Sequence, residues 1–211
     1  LAGRWGRALA GVVALAAGLG LAPLLMPNYL TGLVGDWAVH ERVGWFAVLG
    51  LWAFGTWETL RVLGARGAGR SMPLALAGLA GGFAAVMLLS DSLTTAQPGL
   101  AVMGALLGGL IGSVRVPRPM VATGVSYVSW LLIATLILQG HFYADADPLT
   151  LQYALLGLAP LLMWVAEDPL LRRWPPWARG LARLLAVALP VGLAIALAVV
   201  EFRQDMNAGP Y

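Results

Sequence analysis

The chain has 211 residues, 60% of them hydrophobic and 11% charged, where a soluble domain carries about a quarter charged. That excludes an ordinary soluble globular domain and makes lipid the solvent for most of the chain. The net charge of +3 is dispersed over the ends of apolar segments, which excludes a clustered nucleic-acid footprint and assigns the positive charge to membrane topology and anionic lipid.

Seven apolar stretches follow one another. The first, Trp5 to Met26, is preceded by Arg4. It reads as a retained helix rather than a signal peptide, because it is long for a signal h-region and its best small-residue site, Gly20-Leu21-Ala22, is followed by Pro23. The others are Val43–Leu63, Pro73–Ser90, Pro98–Val114, Val121–Gln139, Thr150–Ala166 and Gly180–Val200. Each has about 17–22 residues, enough at about 1.5 Å per residue to cross a hydrocarbon core of about 30 Å. Proline is expected to open the third and fourth spans, where its missing N–H costs nothing. Pro160 and Pro190 lie inside spans and are expected to kink them. The segment from Pro169 to Arg179 mixes Trp174, Trp177 and arginines and reads as an interfacial stretch.

Charge sets the orientation. All thirteen basic residues are arginine, and eleven fall on alternate connections; only Arg42 and Arg203 fall on the other set. The arginine-rich side, with Glu58, Glu167 and Asp168, balances to +8; the opposite side balances to −5. Loops rich in positive charge stay cytoplasmic. The sequence therefore predicts an all-α polytopic membrane protein, a single seven-span bundle over residues 1–211 with its N-terminus cytoplasmic and its C-terminus outside. The cell membrane, a bacterial inner membrane by its Ala/Gly/Leu/Arg-rich usage, is the expected location.

Missing residue types remove whole chemistries. Without cysteine there is no disulfide, thiolate zinc site, iron–sulfur cluster or cysteine nucleophile. Without lysine, a seven-span retinal protein cannot form its Schiff base. The sequence Gly124-Val125-Ser126-Tyr127-Val128 fails the nucleophile elbow at its last position, and the Gly-rich run from Gly64 to Ser71 lacks the phosphate-loop lysine. His40 and His141 map to the outer face with Asp36, Glu41, Asp145 and Asp147, but without ligand spacing, so a solvated acidic face is expected in place of a metal or haem site. Ser126, Ser129 and Thr135 are expected to bond between helices or to their own backbone, and Trp130 to pack. No catalytic residue, cofactor or metal is predicted.

Two features remain. Small residues line the fourth span, Gly104, Gly108 and Gly112 with Ala101, Ala105 and Gly109, and the third, Gly78 and Gly82 with Ala77, Gly81 and Ala85. Such faces let helix backbones approach, either inside the bundle or against a partner or a second copy. Glu58 is the one acid well inside a span. It reads first as the ion-pair partner of Arg61 at i+3 and second as a proton or ion site. A weak echo joins Gly50-Leu51 and Trp57 to Gly157-Leu158 and Trp164, which a duplication would explain. The expected function is a non-enzymatic membrane subunit or scaffold packing through its Gly/Ala faces. The alternative is a small-solute or ion permease using Glu58 and the proline kinks.

Overall fold

The computed structural model describes residues 38–65, 69–90, 92–113, 120–143, 150–168 and 171–208. Among them the chain is helical, without a strand. In order come α1 (Val39–Ala65), α2 (Ser71–Leu89), α3 (Leu93–Ser113), α4 (Met120–Tyr143) and α5 (Thr150–Leu162). Two 3-10 turns, Met163–Glu167 and Leu171–Arg173, lead into α6 (Pro176–Ala208). Six of the expected spans thus coincide with helices; the first, Trp5 to Met26, lies outside the described residues.

Among the described residues, three segments are long and apolar enough to cross a membrane: α2, α3 and Pro176–Gln204 of α6. Tyr127–His141 and Leu151–Val165 are shorter apolar helices. α1 has the length, but Trp45, Trp52, Trp57 and Glu58 lower its hydropathy and it is not among the three.

The helix ends differ from expectation for local reasons. α2 begins at Ser71, two residues before Pro73, because none of the first N–H groups needs an intrahelical partner; the first bond runs from Leu74 N to the Arg70 carbonyl at 3.3 Å. α3 begins at Leu93, so Pro98 sits in its second turn. Ser92 starts the helix instead: its carbonyl accepts from Ala96 N at 3.0 Å and its hydroxyl donates to Thr95 Oγ1 at 2.7 Å. α6 opens with Pro176 at its first position, the place where proline is pre-organised, so Trp177 to Arg179 of the expected interfacial stretch are helical. Trp174 and Trp177 are both exposed. α6 continues through Pro190. α5 does not continue far past Pro160: the helix tightens to 3-10 geometry from Met163.

By its contacts the chain divides within α1 into residues 1–61 and 62–211. In the first unit, Glu41 caps α1, its Oε2 accepting from Ala38 N at 2.9 Å. The buried Thr56 and Thr59 hydroxyls donate to the carbonyls one turn earlier, Trp52 at 2.7 Å and Gly55 at 2.8 Å.

In the second unit α2 is the hub, packing against α3, α4, α5 and α6. It is apolar all round, as a helix surrounded by others must be. Leu79, Phe83, Val86 and Met87 are fully buried there, with Ala80 and Ala84 between them. α5 and α6 pack on each other, and the 3-10 turn after α5 packs on α6.

Candidate functional site

Glu58 and Arg61 are bonded to each other. Arg61 Nε donates to Glu58 Oε2 at 2.9 Å and Oε1 at 3.1 Å, and Arg61 Nη2 donates to Oε2 at 2.6 Å. Their side chains keep 35% and 27% of their exposure, Arg61 the more open. A fork of this kind satisfies the carboxylate within one helical turn.

The glycines separate into two groups. At Gly82 an added Cβ would collide with Val191 Cγ1 of α6, and at Gly81 it would lie 2.6 Å from Met103 Sδ of α3. At these two positions α2 lies against its neighbours with no room for a Cβ. Gly99 and Gly140, which the small-xxx-small pattern does not single out, are also close-packed, though less tightly: Gly99 faces the Ala80 carbonyl at 3.1 Å and Gly140 faces Tyr153 Cε1 at 2.9 Å. Among the described residues, Gly78, Gly104, Gly108 and Gly112 have no atom within 4 Å of an added Cβ. No described helix therefore packs closely on the glycine face of α3. Gly104, Ala105, Gly108, Gly109 and Gly112 are all exposed, as is Ala101.

A second ion pair escaped the sequence reading, which counted both residues as loop charges. Arg183 Nη2 donates to Glu167 Oε1 in a bond that is buried on both sides, with 5% and 4% of the two residues exposed. Arg183 Nη1 also donates to Ser71 Oγ at 3.2 Å. The cluster ties together the end of the 3-10 turn, the second turn of α6 and the first residue of α2. Its signal lay in helical spacing. Arg183 begins the buried stripe Val187, Val191, Ala194 and Ala198 of α6. Glu167 ends the stripe Leu156, Ala159 and Met163. Because the two stand on the same side of the expected topology, their pairing leaves its charge balance unchanged.

His141 is not in a loop. α4 runs past Gln139, so the imidazole lies in its last turn, half-buried with its ring centroid 5.5 Å from that of Tyr153. Tyr153 in turn donates to Met87 Sδ at 3.6 Å. His40 is exposed in the first turn of α1. Among the described residues no three His, Asp or Glu side chains gather as a metal site; Asp36, Asp145 and Asp147 lie outside them. Thr135 bonds back to the Leu131 carbonyl at 2.9 Å, Ser129 is buried, and Trp130 packs with 4% exposure; the Ser126 side chain lies outside what is described. The two segments of the sequence echo differ: α1 is helical through Arg61, whereas the Gly157–Trp164 segment crosses into 3-10 geometry.

Between α2, α3 and α6 runs an apolar groove of about 540 Å³, lined among others by Leu74, Gly78, Met103, Leu107, Leu184 and Gly192. Its walls are the three helices that, among the described residues, are long and apolar enough to cross a membrane.

No protein-family model, curated protein or solved structure matches the chain.

Proposed function

We propose that this is a multi-pass membrane protein, a seven-span bundle with a cytoplasmic N-terminus and an outer C-terminus, acting as a non-catalytic subunit or scaffold. The observation that carries the role is the Gly/Ala face of α3, which is open among the described residues. A stripe of glycine and alanine gives acyl chains little to hold, while it allows another helix to approach closely enough for van der Waals and Cα–H contacts. Such a face gains most when a helix from another molecule covers it. The arginine distribution supports the orientation.

The polar groups support the same role. Glu58 is held by Arg61 and Glu167 by Arg183. Neither arrangement places a base beside a nucleophile: the Glu167–Arg183 pair fastens separate elements, and the Glu58–Arg61 pair closes within one turn of α1.

Purification from native membrane in mild detergent tests the proposal. The wild-type chain is expected to elute with a stoichiometric membrane partner or as a dimer, and Gly108→Leu as a folded monomer. A wild-type chain that elutes alone, coupled with proton or cation uptake in proteoliposomes, would instead support the permease reading. That reading rests on Glu58 and the proline kinks, and the buried Glu167–Arg183 pair beside the break after Pro160 adds to it, since charges within a bundle mark ion paths by default.

A further inference from the structure

The groove between α2, α3 and α6 differs at its two ends, and the difference selects an occupant. At the end where α2 begins, the three helices are joined by polar groups. Arg70 Nη2 reaches the Ser113 carbonyl of α3 at 3.5 Å, a long contact that leaves the exposed guanidinium donors to spare. Ser71 accepts from Arg183 at 3.2 Å, and its Cβ lies 3.7 Å from where a side chain at Gly180 would begin. Arg70 and Ser71 stand one turn beyond Leu74, where the groove starts. No side chain caps the N-terminus of α2, so the positive end of its dipole faces the same mouth. On α6, Trp177 stands two turns before Leu184 and is 73% exposed, as an indole at headgroup level would be. Away from this end the lining is hydrocarbon, and Gly78 and Gly192 leave its floor open, with no atom within 4 Å of an added Cβ.

We propose that this groove is a binding site for an anionic phospholipid, one acyl chain lying along Gly78 and Gly192 and the phosphate meeting Arg70. Arginine forks match phosphate oxygens bidentately, and the charge at the mouth complements an anionic head. A neutral lipid fills the hydrocarbon part equally well but gains less from the mouth. The site is separate from the glycine face of α3: Met103 and Leu107 point into the groove, while Gly104, Gly108 and Gly112 lie on a face turned away from it.

The test is thermal melting of delipidated protein in a nonionic detergent with added phosphatidylglycerol or phosphatidylcholine of identical acyl chains. A ligand at a hundredfold excess over its Kd raises the midpoint by roughly 5–10 °C for a chain of this size. Phosphatidylglycerol is expected to give that rise and phosphatidylcholine less than half of it. Arg70→Gln reduces the phosphatidylglycerol effect to the phosphatidylcholine level. Gly192→Leu fills the groove and removes both effects; should it fail to fold, Gly78→Leu at an equally open position serves. Equal stabilisation by the two lipids would overturn the proposal. So would a phosphatidylglycerol effect that survives both substitutions, or one that inorganic phosphate reproduces. A wild-type chain that turns from monomer to dimer on delipidation, with the dimer abolished by Gly192→Leu, would assign the groove to a second copy instead.

Discussion

Arg183 and Glu167 stand sixteen residues apart and meet in a bond sealed from solvent, whereas Arg61 and Glu58 meet within one helical turn and stay about a third exposed. The same chemistry therefore carries two different energetic roles. Removing one partner of a buried pair strands the other charge in a medium that cannot solvate it, at a cost of about 3–5 kcal/mol. Arg183→Met or Glu167→Gln is expected to lower the melting midpoint sharply in detergent. The double variant should recover a large part of the loss, because no unpaired charge remains. Additive losses would show that the two side chains do not act as a pair.

For Glu58 and Arg61 the expected cost is small. A half-open i,i+3 pair contributes less than about 1 kcal/mol after solvent screening. Glu58→Gln should melt within a few degrees of wild type. Proteoliposomes carrying it should behave as wild type in proton and cation uptake assays. A normally stable Glu58→Gln protein that loses an uptake activity present in wild type would make Glu58 a transport site.

Glycine-to-alanine substitutions should differ in sign. At Gly82 the new Cβ meets Val191, whose branched side chain has little rotamer freedom in a helix, and at Gly140 it meets the Tyr153 ring at 2.9 Å. Overpacking there costs about 1–3 kcal/mol. At Gly104 and Gly108 nothing stands in the way, and alanine is favoured over glycine within a helix by about 0.5–1 kcal/mol. In detergent-solubilised monomer, Gly82→Ala and Gly140→Ala should melt lower than wild type and Gly104→Ala and Gly108→Ala higher. A uniform effect at all four positions would contradict the packing described.

Gly78 and Gly82 show what sequence can and cannot yield. They are four residues apart on one helix and look alike in a small-xxx-small pattern, yet among the described residues only Gly82 has a neighbour at contact distance. Spacing along one helix reveals a face but not its partner. The helices themselves are legible because long apolar runs ending in arginine, proline or serine admit little else. Their ends are less so. Pro98 reads as a start, but Ser92 begins the helix, since local side-chain bonds decide where the first turn forms. The Glu167–Arg183 pair was hidden because charge counting treats every terminal arginine as a loop residue. Extending the buried stripe of α6 back by one turn from Val187 reaches Arg183 and would have exposed it.

Topology can be read with single cysteines, since the chain has none of its own. Cysteine replacing Arg66 or Arg173 should be shielded from an impermeant thiol reagent added to intact cells, and cysteine replacing Asp145 should react. The arginine balance requires this pattern. Labelling of position 145 only after the membrane is opened would reverse the orientation.

The open face of α3 is the point on which the proposed role turns, and cross-linking in native membranes addresses it most directly. A thiol-reactive photo-crosslinker placed at Ala101, Ala105, Gly108 or Gly112, one position at a time, is compared with the same probe at Leu189, exposed on α6. A discrete higher-mass protein adduct is expected from the α3 positions and lipid adducts alone from Leu189. If the α3 positions also yield nothing but lipid adducts, that face meets only the bilayer and the subunit role is wrong.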